Sequence, residues 1–417
     1  MSPLYNFGIK AYAAAARLAA LRSDKVSQML RGQQETLESL AAERQRVAPE
    51  GYDLWIHAAS LGEFEQGRPL IERLRREHPE KKILLTFFSP SGYNVRRNYD
   101  KVDTVAYLPF DTPAKVSAFL DAAAPKMAIF VKYEFWGNYL EQLQQRGIPT
   151  YNISAIFRKN QWFFRPTGHI GRGMLRRFSH IYVQDENSMQ LLHGIGVNDV
   201  DVVGDTRFDR VTDIMRTVKD IDIAAAFTKN SPFTLIVGSS WQPDEDLYIP
   251  WINAHPEVRA IVAPHEFDKD RLSALLKRFN GKARLLSSFN FPSELTEQVR
   301  VIIVDCFGLL SSLYRYGDAA WIGGGFGTGI HNINEAAVYG IPVVFGPKHE
   351  KFKEATDLLA CGGAFEVTDK TTAASTLTHL LQDPMARKKA GDAAADYIAR
   401  NIGATDKIYH DLFEGNL

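Results

Sequence analysis

The sequence predicts an α/β protein built as two doubly wound domains, each a mainly parallel sheet covered by helices. Short apolar runs alternate with amphipathic stretches along most of the chain, the pattern of repeated βα units. A charged segment at 205–231, without a strong strand signal, interrupts that alternation once, and a fresh series follows it. The length of 417 residues also exceeds what a single hydrophobic core usually serves.

The elements follow in order. Leu4, Phe7, Ala11, Ala14, Leu18 and Leu21 recur at spacings of three and four, so residues 1–30 predict an amphipathic helix with Lys10, Arg17 and Arg22 beside its apolar stripe. Such a helix can lie in a membrane interface with its basic flanks on anionic headgroups, or pack on its own domain. No uncharged apolar stretch reaches 18 residues, and Lys10 and Arg17 break what would be the core of a secretory signal. A polar helical stretch covers about 24–48. Strand-like runs then fall at 54–58, 83–88, 104–108, 127–132, 150–154, 181–184 and 200–204. The second series lies at 234–238, 260–264, 284–287, 301–305, 319–323 and 342–346. The expected domains are 31–210 and 211–417, with the last helix able to pack back on the first domain.

Lys+Arg and Asp+Glu both number 49, so the net charge is zero and a generic nucleic-acid binder is disfavoured. Residues 1–220 hold 30 basic and 25 acidic side chains, and the remainder is correspondingly acidic. The two cysteines are far apart and form no CxxC, which suggests neither a disulfide framework nor a cysteine metal site. No metal or cofactor is expected.

Open α/β sheets bind ligands at the carboxyl ends of their strands, and two in tandem work at the cleft between them. Several strand ends here are rich in chemistry. In the second half, Trp321 leads into five glycines within 323–329, then His331, Asn332 and Glu335 on a helical pattern from about 332 to 339. Glycines let a ligand approach the backbone, and a helix start offers free N–H groups to an anion. Gly327 and Gly329 belong to that loop. Gly238 and Ser239 end one strand, His265 ends another, and Phe307, Gly308 and Leu309 follow a third. Together these strand ends read as a nucleotide-binding domain.

In the first half, one strand ends in His57-Ala-Ala-Ser-Leu-Gly-Glu63. Spacing alone favours Glu63 as the acid of a capping box with Ser60. The next strand ends in a hydroxyl-rich turn with Ser89, Ser91 and Gly92, and a third ends in Tyr133-Glu-Phe-Trp136. The stretch 158–177 mixes Arg158, Lys159 and four further arginines with Trp162, Phe163 and Phe164, which suits an anionic amphiphile at a membrane surface.

These pieces, taken in order with Ile153-Ser-Ala155, Val203-Gly-Asp205, Phe208-Asp209 and Gly238-Ser-Ser240, resemble the 3-deoxy-D-manno-octulosonic acid (Kdo) transferases of lipopolysaccharide synthesis over about residues 4–410. The resemblance implies a GT-B fold, CMP-Kdo as donor, a lipid A precursor as acceptor, and attachment at the cytoplasmic face of the inner membrane. It implies that Glu63 is the catalytic base. Donor contacts map to Gly238, Ser239, His265, Phe307, Gly308, Leu309, Gly327, Gly329, Asn332 and Glu335. Acceptor contacts map to Ser89, Ser91, Gly92, Glu134, Ser154 and Arg158. Two departures are visible: His265-Glu266 stands where the family has an Arg-His pair, and Arg207 stands where it commonly has Lys. The N-terminus is more charged and alanine-rich than an apolar anchor, which favours peripheral attachment. On the same scaffold, a nucleotide-sugar epimerase or hydrolase and a non-catalytic nucleotide sensor are the alternatives.

Overall fold

In a computed structural model of the chain, residues 1–415 are described, with Asp213 described by its backbone alone. Two compact units emerge: residues 1–209 together with 402–417, and residues 210–401. All seven strand runs expected in the first unit are present: β1 (Leu54–His57), β2 (Ile83–Phe87), β3 (Thr104–Tyr107), β4 (Ala128–Val131), β5 (Thr150–Ala155), β6 (His180–Val183) and β7 (Val200–Val202). They form one parallel sheet in the order β3-β2-β1-β4-β5-β6-β7. The strands at its centre are buried on both faces, which is why they read as unbroken apolar runs rather than alternating ones. The order reverses between β1 and β4, so a crevice opens at their carboxyl ends.

The second unit repeats the design with β8 (Thr234–Ser240), β9 (Arg259–Pro264), β10 (Ala283–Leu285), β11 (Val301–Ile303), β12 (Ala319–Ile322), β13 (Val343–Phe345) and β14 (Ala364–Glu366). Its order is β10-β11-β9-β8-β12-β13-β14, with the reversal between β8 and β12. The sequence pattern missed β14, a three-residue edge strand ending in an exposed Glu366. The segment 205–231 is two helices, Arg207–Arg216 and Asp222–Thr228.

The chain leaves the first unit after Asp209 and returns at Ile402. Asp209 lies at both crossings: its carboxylate accepts the N–H of Gly403 and, at 2.6 Å, that of Thr405. The helix Ala404–Tyr409 that follows packs Ala404, Ile408 and Tyr409 against Leu70, Ile71 and Leu74.

The first 30 residues do not stand apart from the first unit. They form the helix Pro3–Ala19 and the start of a second, Asp24–Val47. Tyr5 donates to Asp111 at 2.5 Å and accepts from the N–H of Gly137 at 3.0 Å, and Asn6 accepts from Asn138. All six residues of the apolar stripe face solvent, Leu4 and Phe7 being 72 % exposed and Leu18 69 %. Among the described residues, no helix is long and apolar enough to cross a membrane.

Candidate active site

Glu63 is in the first turn of the helix Leu61–Glu77, directly after β1. Its Oε2 reaches back to accept the N–H of Ala59 (2.7 Å) and of Ser60 (3.2 Å). The capping contact expected from spacing is therefore made. The same carboxyl is pushed up to about 7, first by burial and then by the charge of Glu134, against the opposing pull of the two N–H groups and Lys132. A cap alone has no use for a carboxyl whose ionisation is disfavoured. The capping contact and an ionisation close to neutrality coexist in one side chain.

Glu134 comes from the turn after β4 and is 9 % exposed. Its Oε2 accepts a hydrogen bond from Trp136 Nε1 at 2.6 Å and lies 3.1 Å from His57 Nε2. His57 ends β1 and is fully buried, with Nδ1 2.9 Å from Thr86 Oγ1 on β2. Beside them, Lys132 has φ +63°, a left-handed conformation that costs a non-glycine residue of order 1 kcal/mol. Its carbonyl is held by the Asn152 amide (3.2 Å) and its N–H by Ile153 (2.8 Å). Strain of this kind is retained where surrounding bonds overdetermine it, and it often marks functional positions. Glu63, Lys132 and Glu134 thus meet at the switch point between β1 and β4.

The other candidate acceptor residues divide. Ser89 starts the helix Pro90–Arg96, with its hydroxyl 3.0 Å from that of Ser91 and both near the surface. Gly92 is there for packing, since a Cβ would sit 2.2 Å from the Phe87 ring. Ser154 is fully buried and its hydroxyl pairs with Thr206 at 2.9 Å, so it braces the strand end rather than presenting a hydroxyl to a ligand. Arg158 is exposed. In the basic aromatic stretch, Phe163 belongs to the core, and the guanidinium groups of Arg172 and Arg176 hold backbone carbonyls of Phe163 and Ile195. Arg177 bonds Gly173 and Glu141. Part of the expected basic face is therefore scaffold.

In the second unit, β8 and β12 approach so closely at their ends that a Cβ on Gly323 would lie 2.3 Å from the Ser239 carbonyl oxygen. Asp244, fully buried, clamps the two ends by accepting the N–H of Trp241 (2.9 Å) and of Gly324 (3.0 Å). Gly324 has φ +93°, which glycine alone adopts freely. Ser239 is itself left-handed, at φ +53°. His265 stacks between Trp241 and His331 at centroid distances of 4.3 and 4.7 Å, forming a flat platform across β8, β9 and β12. Burial and the neighbouring His265 hold His331 below the usual histidine range. Phe307 is 86 % exposed and lies edge-on to Phe267 beside Gly308 and Leu309. Glu335 accepts from Asn332 (3.0 Å); burial raises its carboxyl and the Arg210 charge opposes that rise.

One expectation needs correcting here, the helix from about 332 to 339. The helices after Phe307 and Gly327 are only Leu310–Leu313 and Asn334–Ala337, one turn each. They supply backbone N–H groups, but too few aligned peptides for the dipole expected of a long helix. The sequence also gave no roles to His57, Lys132, Trp136, His331, Asp244 or Arg210. His57, Trp136 and His331 lay inside quoted motifs; Lys132 is marked only by its backbone conformation. Among the described residues, no group of three or more side chains is arranged to hold a metal ion.

Residues 14–210 match the family described as 3-deoxy-D-manno-octulosonic-acid transferase. The chain is a glycosyltransferase, and it is similar to Kdo transferases over most of its length. A Kdo transferase of Aquifex aeolicus is 28 % identical over 337 residues, covering 79 % of this chain and 86 % of its own. One from Bordetella pertussis is 27 % identical, covering 88 % of each chain. The UDP-GlcNAc 2-epimerase of Neisseria meningitidis, bound to UDP-GlcNAc, superposes with a TM-score of 0.60 over 87 % of this chain and 99 % of its own, at 14 % identity. That likeness establishes the fold, which is GT-B. Glu63 and Glu134 lie in the part matched to the family, whereas the His265 platform and Glu335 lie outside it.

Proposed function

We propose that this protein transfers Kdo from CMP-Kdo to a lipid A precursor, with inversion at the anomeric carbon and Glu63 as general base. The acceptor hydroxyl oxygen forms a bond to the anomeric carbon. The bond from that carbon to phosphate oxygen breaks, and CMP leaves with its electron pair. Glu63 takes the hydroxyl proton. General-base help of this kind is worth ~10²–10⁴-fold in rate. The observation that carries the proposal is the Glu63 carboxyl itself, held near 7 by burial beside Glu134.

On this reading the donor lies on the second unit, with its ribose at Asn332 and Glu335 and further contacts at Phe307–Leu309. Its phosphate lies at the glycine loop, where backbone N–H groups offset the charge growing on the leaving group. The acceptor uses the first unit, near Ser89, Ser91 and Arg158. Contact with an anionic membrane surface is supported by the exposed stripe of Leu4, Phe7, Leu18 and Leu21 flanked by Lys10, Arg17 and Arg22, and the cytoplasmic face of the inner membrane follows from the likeness to Kdo transferases.

The test is a product assay with CMP-Kdo generated in situ and a tetraacylated lipid A precursor, read by mass spectrometry. We expect a gain of one or more Kdo masses, and none from Glu63→Gln, which should still bind CMP. Near-normal transfer by that variant would remove Glu63 from the base role. Turnover of UDP-GlcNAc without a lipid would favour an epimerase.

A further inference from the structure

His57 is fully buried, and the proton transfer above gives it no task. Its hydrogen bonds can be assigned by following the protons. Trp55 Nε1–H donates to Thr86 Oγ1 at 2.8 Å, which leaves the hydroxyl's own proton to be placed. The Thr86 carbonyl already accepts the N–H of Ala58 at 3.1 Å. His57 Nδ1 lies 2.9 Å from Thr86 Oγ1 and 3.1 Å from that carbonyl oxygen; with the carbonyl already taken by Ala58, the shorter contact makes Nδ1 the acceptor of the hydroxyl proton. A neutral imidazole that accepts at Nδ1 carries its proton on Nε2. Nε2 lies 3.1 Å from Glu134 Oε2, the oxygen that also accepts Trp136 Nε1–H. Every donor then has an acceptor, and all point one way.

We propose that Trp55, Thr86 and His57 form a buried one-directional hydrogen-bond chain that fixes the Glu134 carboxylate beside Glu63, with His57 a positioning residue in its neutral Nε2–H form. The tautomer stands on geometry alone; its kinetic consequence rests on the reading of Glu63 as the base. The groups facing Glu63 are Glu134, Lys132 and Tyr133, together with the N–H groups of Ala59 and Ser60. The Glu134 charge makes Glu63 a stronger base and the Lys132 charge a weaker one. Loss of the Nε2–H donor leaves Glu134 with one donor in place of two, so its carboxylate is no longer held in place beside Glu63. With Glu134 displaced, its charge raises Glu63 less, and Glu63 becomes a weaker base.

Nitrogen NMR of the full chain, with its eleven histidines labelled at the ring nitrogens, tests the tautomer at pH about 7. We expect the histidine signal that disappears in His57→Gln to have Nε2 protonated and Nδ1 bare. A protonated Nδ1 on His57 would overturn the proposal. Kinetics test the consequence. His57→Gln retains an acceptor oxygen and an N–H donor, and should keep the acid limb of the rate profile. His57→Phe fills the space without a donor. It should lower kcat about tenfold with KM little changed, and move that limb about one unit towards lower pH. Matching profiles for the two variants would mean that His57 only fills space. If the unsubstituted chain transfers no Kdo, the proposed function fails while the NMR result still decides the chain of protons. A variant that does not fold leaves that decision with the unsubstituted protein.

Discussion

Glu63 makes two demands on one carboxyl group, and they pull in opposite directions. Accepting the N–H groups of Ala59 and Ser60 favours the ion, while burial and Glu134 favour the acid. Burial and repulsion win, and the group settles near 7. In the proposed base role it must be ionised, so turnover should fall as pH drops through about 7; kcat measured across that range checks this. Stability runs the other way. A carboxyl whose folded value lies above its ordinary one binds its proton more tightly in the native state. That contribution is complete below the ordinary value of 4.5 and is lost as pH rises through about 7. Glu63→Gln removes the penalty. It should therefore stabilise the protein by about 1–2 kcal/mol at pH about 8 and change little at pH about 4, as read by denaturant unfolding. An equal shift at both pH values would contradict the burial account. The motif around Glu63 was legible in sequence, and so was its capping role. Its perturbed ionisation was not, because that depends on Glu134, 71 positions further on.

Strands were the most legible elements. Thirteen of the fourteen coincide with apolar runs, because a parallel strand buried on both faces must be apolar throughout. The edge strand β14 escaped because half of its surface is wet and it spans three residues. Short helices after loops were overread: a glycine-rich stretch followed by Asn332–Tyr339 patterns as a helix, but only Asn334–Ala337 closes one. At this scale the segment most exposed to test is the returning helix Ala404–Tyr409. Asp209 satisfies two of its leading N–H groups, those of Gly403 and Thr405. Asp209→Ala should leave both donors unpaired and cost about 2–3 kcal/mol. Hydrogen exchange should show faster opening confined first to 402–415. Unchanged protection there would mean that the apolar contacts of Ile408 and Tyr409 suffice without the cap.

For the whole molecule, the exposed apolar stripe on the first helix is the feature that no internal packing explains. Tyr5 and Asn6 pin the helix to its own unit while Leu4, Phe7 and Leu18 stay outside. Scattered single apolar residues on a surface are ordinary, but a row beside basic residues suits an anionic lipid interface. Leu4→Ser with Phe7→Ser and Leu18→Ser should weaken binding to anionic vesicles at least tenfold, measured by sedimentation. The melting temperature should move little, because these side chains bury nothing. Vesicle binding that survives the triple change would place the lipid contact elsewhere, with exposed Arg158 as the next residue to replace.

The sequence by itself determined the class, the two doubly wound sheets, the strand ends that carry polar residues, and the family resemblance through its ordered motifs. These are local properties: burial on both faces dictates composition, and loop chemistry sits at fixed offsets from a strand. Only the tertiary structure decided which of those strand ends act together. It joined Glu63, Lys132 and Glu134 at the reversal between β1 and β4, gave His57 its place under Glu134, clamped β8 to β12 through Asp244, and turned Ser154 and several arginines into scaffold. Ionisation, proton direction and backbone strain arise from neighbours distant in the chain, and no local pattern encodes them.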